Sequence, residues 1–485
     1  MNQPENMTER PANGLKSHHE PDDIRLALEM REYKRAEELT VQVLQGNRLA
    51  AQIWVYLGEA LLHQGCGDAA SRAFERAWLL DPQAQWVEAA HKALSGLQRG
   101  PVRRSVDALL DVKPVTVAAA VMARNEARCI ERCVQSLIHA VDEIVIIDSG
   151  STDGTVELVE HLPKVRVIRN MQLHDDFAGK RNSGLAHLQS DWVLWVDADE
   201  WLFEEDVQAV REAASLFHES TEPTVLNICQ VNYIADRESR DYSLPRMFPL
   251  HRDLHYYGRV HEQVVIQGQD MYAGGISRQA VRIRLHHDGY EPGIMQHKQK
   301  LARNLKLLQK AVEEEPGNPG WLLFYGRETL GSGDTDKALE LFVEAERAAQ
   351  DTPNFGRLSE VLMFMNRIYM SRKDYDSAEA VCMRAIQADS QFPDARYHLA
   401  QAQMRKAVAL LQAAEQNLKQ SKAGFQTYRG NVTADASILD WRADLSLADL
   451  AALTGKTAEA KARYGKIARR HPELEKVKRK LARME

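Results

Sequence analysis

Three acidic residues follow directly after a short apolar run near the middle of the chain. The run is Trp192 to Val196, and the acids are Asp197, Asp199 and Glu200. Crowded carboxylates repel one another, and burial disfavours their charge unless a cation is close. Oxygen ligands of this kind suit Mg²⁺ or Mn²⁺, and those ions in turn suit a phosphate-bearing substrate. A solvated turn after an edge strand is the alternative that a lone Asp-x-Asp also fits.

Polar residues also follow two apolar runs further upstream. Arg124, Asn125 and Glu126 come after the first run, and Asp148 comes after the second. Asp148 can accept hydrogen bonds from a base or a ribose, and the residues from Asp148 to Thr155 offer backbone N–H groups and capping side chains. The competing interpretation is a well-capped turn between a strand and a helix.

Cationic residues follow a third run. Lys180 and Arg181 occur in the sequence Phe-Ala-Gly-Lys-Arg-Asn, which begins at Phe177. Their charges can meet a diphosphate, although one Lys–Arg pair is more usually a solvated helix face. The three polar segments and the acidic one thus offer complementary charges for a phosphate-bearing ligand.

The elements that would carry these residues alternate between strand and helix. The β-rich apolar runs are Val115 to Val121, Glu143 to Ile147, Val165 to Ile168 and Trp192 to Val196. Helical patterns separate them at Ile130 to Ala140, Thr155 to Leu162 and Ala178 to Leu188. This alternation predicts an α/β domain with a mostly parallel sheet covered on both faces. Ligands of such sheets bind beyond the carboxyl ends of the strands, where the polar residues fall.

Helical repeats flank the α/β segment on both sides. Residues Pro21 to about Gly100 have helical patterns. One unit there, from Trp54 to Pro82, has small residues that allow two helices to approach and large ones that fill the space between them: Gly58, Ala70, Trp54, Leu57 and Phe74. A degenerate copy with Tyr33, Ala36 and Leu39 precedes it. This pattern resembles the tetratricopeptide repeat. Looser copies occur from Tyr325 to Pro472, one of them beginning at Tyr397, but the stretch from Gln401 to Asn431 departs from the period. We expect the C-terminal copies to stack as an α-solenoid and the N-terminal pair to lean on the central domain.

Length, charge and apolar runs argue against a single-domain protein, a nucleic-acid-binding protein and a membrane-spanning protein. The 485 residues are too many for one core, and a net charge of -7 spread along the chain argues against nucleic acid as a partner. No apolar run reaches the roughly eighteen residues of a membrane span. The expected order is a disordered leader (1–20), tetratricopeptide-like helices (21–100), a linker (101–113), the α/β domain (114–290) and the solenoid (291–485). Five scattered cysteines are expected to be reduced thiols of a cytoplasmic protein.

Four motifs in order resemble glycosyltransferase family 2, whose members have the GT-A nucleotide-sugar fold. They are Ala123 to Glu126, Ile147 to Asp153, Lys180 to Asn182 and Asp197 to Glu200. Three later landmarks resemble one bacterial subgroup, which includes lipopolysaccharide-core glycosyltransferases and enzymes that glycosylate bacteriocin peptides: Arg246 to Phe248, Gly258 to Glu262 and His287 to Tyr290. The resemblance covers about Val115 to Tyr290 and leaves the donor sugar and the acceptor open.

The resemblance implies that the first two motifs bind a nucleotide-sugar donor. Asp148 and the backbone around Arg124 would hold the uridine of a UDP-sugar, with Asn125 and Glu126 beside them. Asp197 would reach the ribose. These assignments agree with the hydrogen-bonding capacity of the residues.

The later motifs are implied to bind a divalent cation and the diphosphate. Asp199 would ligate Mg²⁺ or Mn²⁺, and His287 resembles a late histidine that approaches the metal or the diphosphate. The neighbouring His286 competes for that role, and a structural histidine is the alternative. Lys180 or Arg181, together with the metal, would stabilise the departing UDP.

Direct displacement also needs a base that takes the proton of the acceptor. Glu262 is the first candidate and Glu200 the second. Asp236, Glu238 and Asp241 lie in a polar stretch that we interpret as an acceptor-side loop. For these three residues, a place in a solvated loop is a more common role than catalysis.

The leading hypothesis is therefore a metal-dependent inverting glycosyltransferase that moves a sugar to a peptide or protein acceptor. The repeats would dock the acceptor or a second copy of the chain. Two alternatives remain open: an acceptor in lipopolysaccharide core or another envelope glycan, and a repeat scaffold whose central domain only binds a nucleotide.

Overall fold

A computed structural model describes residues 21–169, 176–234, 237–287 and 294–484. The expected disordered leader, Asp236 and the last residues of the His287 to Tyr290 landmark lie outside these ranges. The chain divides into two compact units, residues 1–314 and 315–485. The finer boundaries at residues 100, 113 and 290 stay predictions.

The first unit is built on an eight-stranded mixed sheet. Its strands are β1 (Val117–Ala123), β2 (Glu143–Asp148), β3 (Val165–Arg169), β4 (Trp192–Asp197), β5 (Glu200–Leu202), β6 (Thr224–Ile234), β7 (Arg237–Pro249) and β10 (Ser277–His287). A separate antiparallel pair consists of β8 (Leu254–Tyr257) and β9 (Gln263–Ile266). The order in the large sheet is β3-β2-β1-β4-β7-β6-β10-β5.

The sheet confirms the predicted fold class. Neighbours among β3, β2, β1 and β4 are parallel, as are β6 and β10, whereas β7 is antiparallel to β4 and β6. All four predicted strands are present. Four α-helices accompany the sheet: α7 (Ile130–Leu137), α8 (Phe177–Leu185), α9 (Val207–Phe217) and α10 (Ile294–Glu314).

The helix predicted from Thr155 to Leu162 is wrong, because this segment is a series of turns. Leu158 N–H bonds to Gly154 O four residues back, but Val159 N–H bonds to Val156 O only three residues back. Pro163 follows directly and cannot extend a helical ladder. Because three-residue and four-residue bonds are mixed here, no continuous α-helical ladder forms.

Two further segments differ from the prediction: one predicted as a loop is part of a strand, and one predicted as a repeat is a single long helix. Glu238 and Asp241 belong to β7, so the polar stretch is the first half of a strand and not a loop. In the second unit, the repeat expected to begin at Tyr397 is a single helix of 32 residues. The sequence between Pro393 and Gly424 contains no further proline or glycine and consists mainly of strong helix formers, which explains its continuity.

Six helices precede the sheet and share its core. They are α1 (Pro21–Glu29), α2 (Tyr33–Gly46), α3 (Ala51–His63), α4 (Gly67–Leu80), α5 (Val87–Leu94) and α6 (Arg104–Leu110). Buried residues of these helices and of β1 form one hydrophobic cluster. The buried guanidinium of Arg76 on α4 donates from Nε to Glu212 Oε1 on α9, at 2.5 Å. The N-terminal helices therefore pack on the α/β domain, as expected.

The second unit consists of helices, several of which pair as repeats. They are α11 (Pro319–Ser332), α12 (Thr335–Gln350), α13 (Leu358–Ser371), α14 (Tyr375–Ala388), α15 (Pro393–Gly424), α16 (Ala443–Leu453), α17 (Thr457–Arg470) and α18 (Glu475–Ala482). The same close approach recurs in both units. A methyl group at Gly58 would lie 2.8 Å from the Phe74 ring, and one at Gly326 would lie 2.6 Å from the Phe342 ring. In the part of the chain that the structure describes, no helix is long and apolar enough to cross a membrane.

We expect Gly58→Ala to lower the free energy of unfolding of the first unit by about 1–3 kcal/mol, because the added methyl group overpacks the contact with Phe74. Gly46→Ala is the control, since a methyl group there meets nothing within 4 Å. Alanine at that helix position should be neutral or stabilise by up to about 1 kcal/mol. Chemical denaturation of both variants measures the difference. Equal stabilities would show that the α3–α4 contact yields easily.

Candidate active site at the strand ends

The sheet brings the predicted polar motifs to one edge. In the parallel register, Ala123 of β1 is paired with Asp148 of β2, and Met122 of β1 is paired with Asp197 of β4. The segments after these three strands therefore emerge side by side. This is the edge at which α/β sheets bind ligands.

Hydrogen bonds tie the segment after β1 to the segment after β2. The N–H of Asn125 donates to Ser151 Oγ at 2.9 Å, and Asn125 Oδ1 accepts from the N–H of Thr152 at 2.9 Å. The N–H of Glu126 donates to Thr155 Oγ1 at 2.8 Å. Asn125 has φ 57°, a left-handed conformation that asparagine tolerates better than most residues. Its side chain holds the two loops together, and its predicted contact with a donor stays a prediction.

Asp148 is buried and caps its own turn. Its carboxylate accepts from the N–H of Gly150 at 3.1 Å, from the N–H of Ser151 at 3.1 Å and from Ser151 Oγ at 2.5 Å. This geometry is that of the capped turn named above as the competing interpretation. Recognition of a nucleotide by Asp148 stays a prediction.

Asp197 lies between two buried arginines. Its Oδ1 is 3.0 Å from Arg181 Nη2 on α8, and its Oδ2 is 2.5 Å from Arg246 Nη2 on β7. Burial by itself would raise the pKa of Asp197, but the charges of Arg246 and Arg181 hold it well below its usual range. Asp197 therefore stays ionised, and its charge is neutralised inside the protein.

Glu200 belongs to the same buried cluster. Its Oε1 accepts from the Gln230 side chain and lies 3.5 Å from Arg246 Nη2, while its Oε2 accepts from the N–H of Asp197 at 2.8 Å. Burial raises the pKa of this carboxyl, and Arg246 opposes the shift. Only 1% of the residue is exposed, which leaves it little room to meet an acceptor.

Glu262 is held by the other edge of Arg181. Arg181 Nε donates to Glu262 Oε1 at 3.1 Å, and the guanidinium carbon lies 5.0 Å and 5.1 Å from the ring centroids of Trp195 and Tyr256. Nη1 of Arg181 and Nη1 of Arg246 are buried and have no hydrogen-bond partner among the described residues. Buried donors of this kind are rarely left unpaired in a native protein, so these two nitrogens are the unsatisfied donors of the cluster.

Asp199 and His287 form a separate pair at the end of β4 and β10. Asp199 Oδ2 is 3.4 Å from His287 Nε2, and His287 Nδ1 is 2.7 Å from Asn232 Oδ1. The amide oxygen places a proton on Nδ1 and turns Nε2 toward Asp199, as second partners of metal-binding histidines do. Burial lowers the pKa of His287, but Asp199 more than offsets it, so the pKa is raised.

These residues fit a cation that the substrate helps to hold. Among the described residues, no three or more His, Cys, Asp or Glu side chains form a group that could bind a metal ion. Mg²⁺ commonly takes one or two carboxylates together with phosphate oxygens and water. Burial raises the pKa of Glu126, and the charge of Asp199 adds to the shift, which places Glu126 near the pair as well.

The remaining predicted residues are close to the same edge. Lys180 is buried, with Nζ 5.3 Å from the centroid of the Phe177 ring, and Arg124 is exposed. His286 points away from Asp199, because neighbouring residues of a strand face opposite sides and His287 faces Asp199. The His286 ring stacks on Phe203, with 3.5 Å between the ring centroids.

Sequence reasoning did not assign a role to Arg246. A signal was present, because this arginine interrupts an otherwise apolar run from Leu244 to Leu250. A cation in a buried strand requires an anion, and Asp197 is that anion. Gln230, which contacts Glu200, had no comparable signal.

Comparison with known proteins identifies the central segment. Residues 119–281 match the family described as Glycosyl transferase family 2. The match covers about a third of the chain. The SPbeta prophage-derived glycosyltransferase SunS of Bacillus subtilis (strain 168) is 26% identical over 262 residues, which are 54% of this chain and 60% of SunS. The chain thus spans about three fifths of the length of SunS.

Other similarities concern the repeats and the solved structures. A TPR repeat-containing protein of Synechococcus elongatus is 28% identical over 149 residues, which are 30% of this chain and 35% of that protein. The crystal structure of S. aureus TarS 1-349 in complex with UDP-GlcNAc is 14% identical, with a TM-score of 0.33, over 57% of this chain and 93% of that one. The family 2 domain and tetratricopeptide-like helices therefore occur together in this chain, as the motifs indicated.

We expect Arg246→Met to lower the free energy of unfolding by about 3–5 kcal/mol, because it leaves Glu200 buried without its cation and Asp197 with one cation in place of two. Arg240→Met is the matched control on the same strand, where the pair with Glu238 is 53% and 44% exposed. Its loss should stay below about 1 kcal/mol. Urea denaturation of both variants measures the difference, and similar losses would contradict a stabilising role of the buried cluster.

Proposed function

We propose that the protein is a metal-dependent inverting glycosyltransferase that transfers a sugar from a nucleotide diphosphate donor to a peptide or protein acceptor. The observation that carries this proposal is the arrangement at the end of β4 in a family 2 domain. Asp199 and His287 form a pair there, and the buried guanidinium groups of Arg181 and Arg246 lie beside it.

The charges at this edge suit a diphosphate leaving group. Nη1 of Arg181 and Nη1 of Arg246 are buried donors without a described partner, and Lys180 adds a third cation nearby. Asp199 and His287 would hold a divalent cation, which supplies Lewis-acid stabilisation of the departing diphosphate when it is bound. Asp197 and Glu200 are already neutralised by the arginines, so the cluster does not repel an approaching anion.

Glu262 is the residue that we assign as the base. Its carboxylate pairs with Arg181 and is 15% exposed, so it can reach a substrate. Its free oxygen would accept the proton of the acceptor hydroxyl or thiol as the bond to the sugar carbon forms. Arg181 would orient Glu262 and bind the leaving group at the same time.

A peptide or protein acceptor is favoured by the helical repeats. Stacks of such helices form extended surfaces that suit peptides, and the second unit contains several repeat pairs. An envelope-glycan acceptor and a non-catalytic nucleotide-binding scaffold remain the alternatives, which the following experiment separates.

We expect the purified full chain to release UDP from at least one UDP-sugar in the presence of Mn²⁺. Asp199→Asn should reduce this release by about 10²-fold or more, because the carboxylate that holds the cation is lost. Asp351→Asn, an exposed residue of the second unit, is the matched control and should behave as wild type. Calorimetry should show that Mn²⁺ tightens UDP binding to wild type but not to Asp199→Asn.

Three outcomes would contradict parts of this proposal. UDP binding without release from any UDP- or other nucleotide-sugar would favour the scaffold. Equal UDP affinity with and without Mn²⁺ would remove the metal assignment. Transfer to glycans but not to peptides would replace the acceptor class.

We expect Glu262→Gln to reduce turnover by roughly 10²-fold or more while it leaves the affinity for the donor nearly unchanged, because a general base acts in the transition state. Steady-state kinetics together with UDP calorimetry measure both quantities. Glu262→Asp keeps the basic group and should recover part of the rate. A Glu262→Gln enzyme that retains most of its activity would move the role to another carboxylate.

A further inference from the structure

The candidate base lies on a tight loop between β8 and β9. This loop, residues 258–262, connects two strands of four residues each, and Glu262 is its last residue. Two residues of the loop have left-handed backbone conformations, with φ 101° at Gly258 and φ 56° at His261. A left-handed conformation at a residue other than glycine persists only where the surrounding structure holds it. The contacts that hold this loop therefore decide where the carboxylate of Glu262 lies.

Helix α8 holds the loop at two points. The N–H of Phe177, the first residue of α8, donates to Arg259 O at 3.2 Å. About one helical turn further along α8, Arg181 Nε donates to Glu262 Oε1 at 3.1 Å. Each of these two points is a single hydrogen bond, which constrains the orientation of the loop less than a paired contact does.

The side chain of Arg259 ties the same loop to α10. Arg259 Nε lies 3.1 Å from Glu314 Oε2, and Arg259 Nη2 lies 2.8 Å from Glu314 Oε1. Two parallel bonds between a guanidinium group and a carboxylate fix direction as well as distance. Because its carbonyl is held by α8 and its side chain by α10, Arg259 is fixed on two sides.

The position of Glu314 does not serve its own helix. The last turn of α10 has no basic residue, and the helix ends with Glu313 and Glu314. A carboxylate is disfavoured at the C-terminal end of a helix, where the helix dipole is negative. The charge of Arg259 offsets this repulsion, and we attribute the placement of Glu314 to that contact.

The ion pair is too exposed to matter much for overall stability. The side chains of Arg259 and Glu314 are 32% and 47% exposed, and exposed pairs contribute little to the free energy of unfolding. A general base, in contrast, must stay within hydrogen-bond reach of the proton that it takes. A displacement of about 1 Å is enough to lower the rate of such a step strongly. The consequence of the pair is therefore expected in the chemistry and not in folding.

We propose that Glu314 is a positioning residue of the transfer reaction. By binding Arg259, it fixes the loop that presents Glu262 to the acceptor. Glu314 has this role only if Glu262 is the base, so the proposal rests on the proposed function.

The first test measures the loop itself, by hydrogen exchange of the full chain without substrate. Glu314→Ala should speed the exchange of the N–H groups of residues 258–262 and of Phe177 by roughly 3-fold or more, because Arg259 loses its paired contact. Glu313→Ala is the matched control, an exposed glutamate of the same helix end that bonds to Gln309, and should exchange as wild type. Equal exchange in the two variants would overturn the proposal.

The second test measures turnover, as UDP release from a UDP-sugar with Mn²⁺, in a double-mutant cycle. Glu314→Ala should reduce kcat by roughly 5- to 20-fold. The UDP affinity and the unfolding midpoint should stay at their wild-type values, and Glu313→Ala should leave all three quantities unchanged. Because Glu314 acts through the base, Glu314→Ala should have no further effect in a Glu262→Gln chain. A wild-type kcat in Glu314→Ala, or the same loss in both backgrounds, would overturn the proposal.

The cycle also separates a failure of this role from a failure of the proposed function. A Glu262→Gln chain that keeps most of its turnover would show that Glu262 is not the base and would overturn both proposals. Turnover that is lost in Glu262→Gln but kept in Glu314→Ala would overturn the role of Glu314 and leave the proposed function intact.

Discussion

The contact between Asp197 and two arginines is the interaction on which the candidate site depends. Both guanidinium groups are buried, and a buried cation is costly without a counter-ion. Arg181 comes from α8 and Arg246 from β7, so the charge of one half-buried carboxylate fixes two distant segments to the end of β4. Removing either arginine would leave Asp197 with a single cationic partner, and removing Asp197 would leave two buried cations facing each other.

This cluster divides the acidic motif into parts with different uses. Asp197 and Glu200 are neutralised internally, whereas Asp199 is 30% exposed and meets His287. Because Asp197 is held by two arginines and Glu200 is buried, Asp199 is the carboxylate of the motif best placed to meet a cation. Arg181 extends the same network to Glu262, so the position of the candidate base and the charge at the donor side are set by one guanidinium group.

Local patterns predicted the parts of the fold that local sequence determines. The runs before Glu126, Asp148 and Asp197 are continuous and apolar, and such runs form buried parallel strands whose ends meet. The turns at residues 155–162 escaped prediction because their apolar spacing is helical while their bonding is not. The first half of β7 escaped because strands with charged residues such as Glu238 and Asp241 lack the usual apolar signal. The role of Arg246 depends on the pairing of β7 with β4, which joins residues about fifty positions apart and has no local signature.

The N-terminal helices contact the strand that carries His287. One face of β10 contacts α4 through Arg282. Arg282 Nη1 is 3.0 Å from Glu75 Oε2, and the guanidinium carbon of Arg282 is 4.2 Å from the centroid of the Trp78 ring. Arg284 binds buried Asp206 with both Nε and Nη2, at 2.7 and 2.9 Å. Because strand residues alternate between faces, His287 points to the other side, where it meets Asp199. The strand that carries His287 is therefore held on its other face by contacts with α4. A repeat pair too small to bury its own faces is stable in this position because it shares the core of the α/β domain.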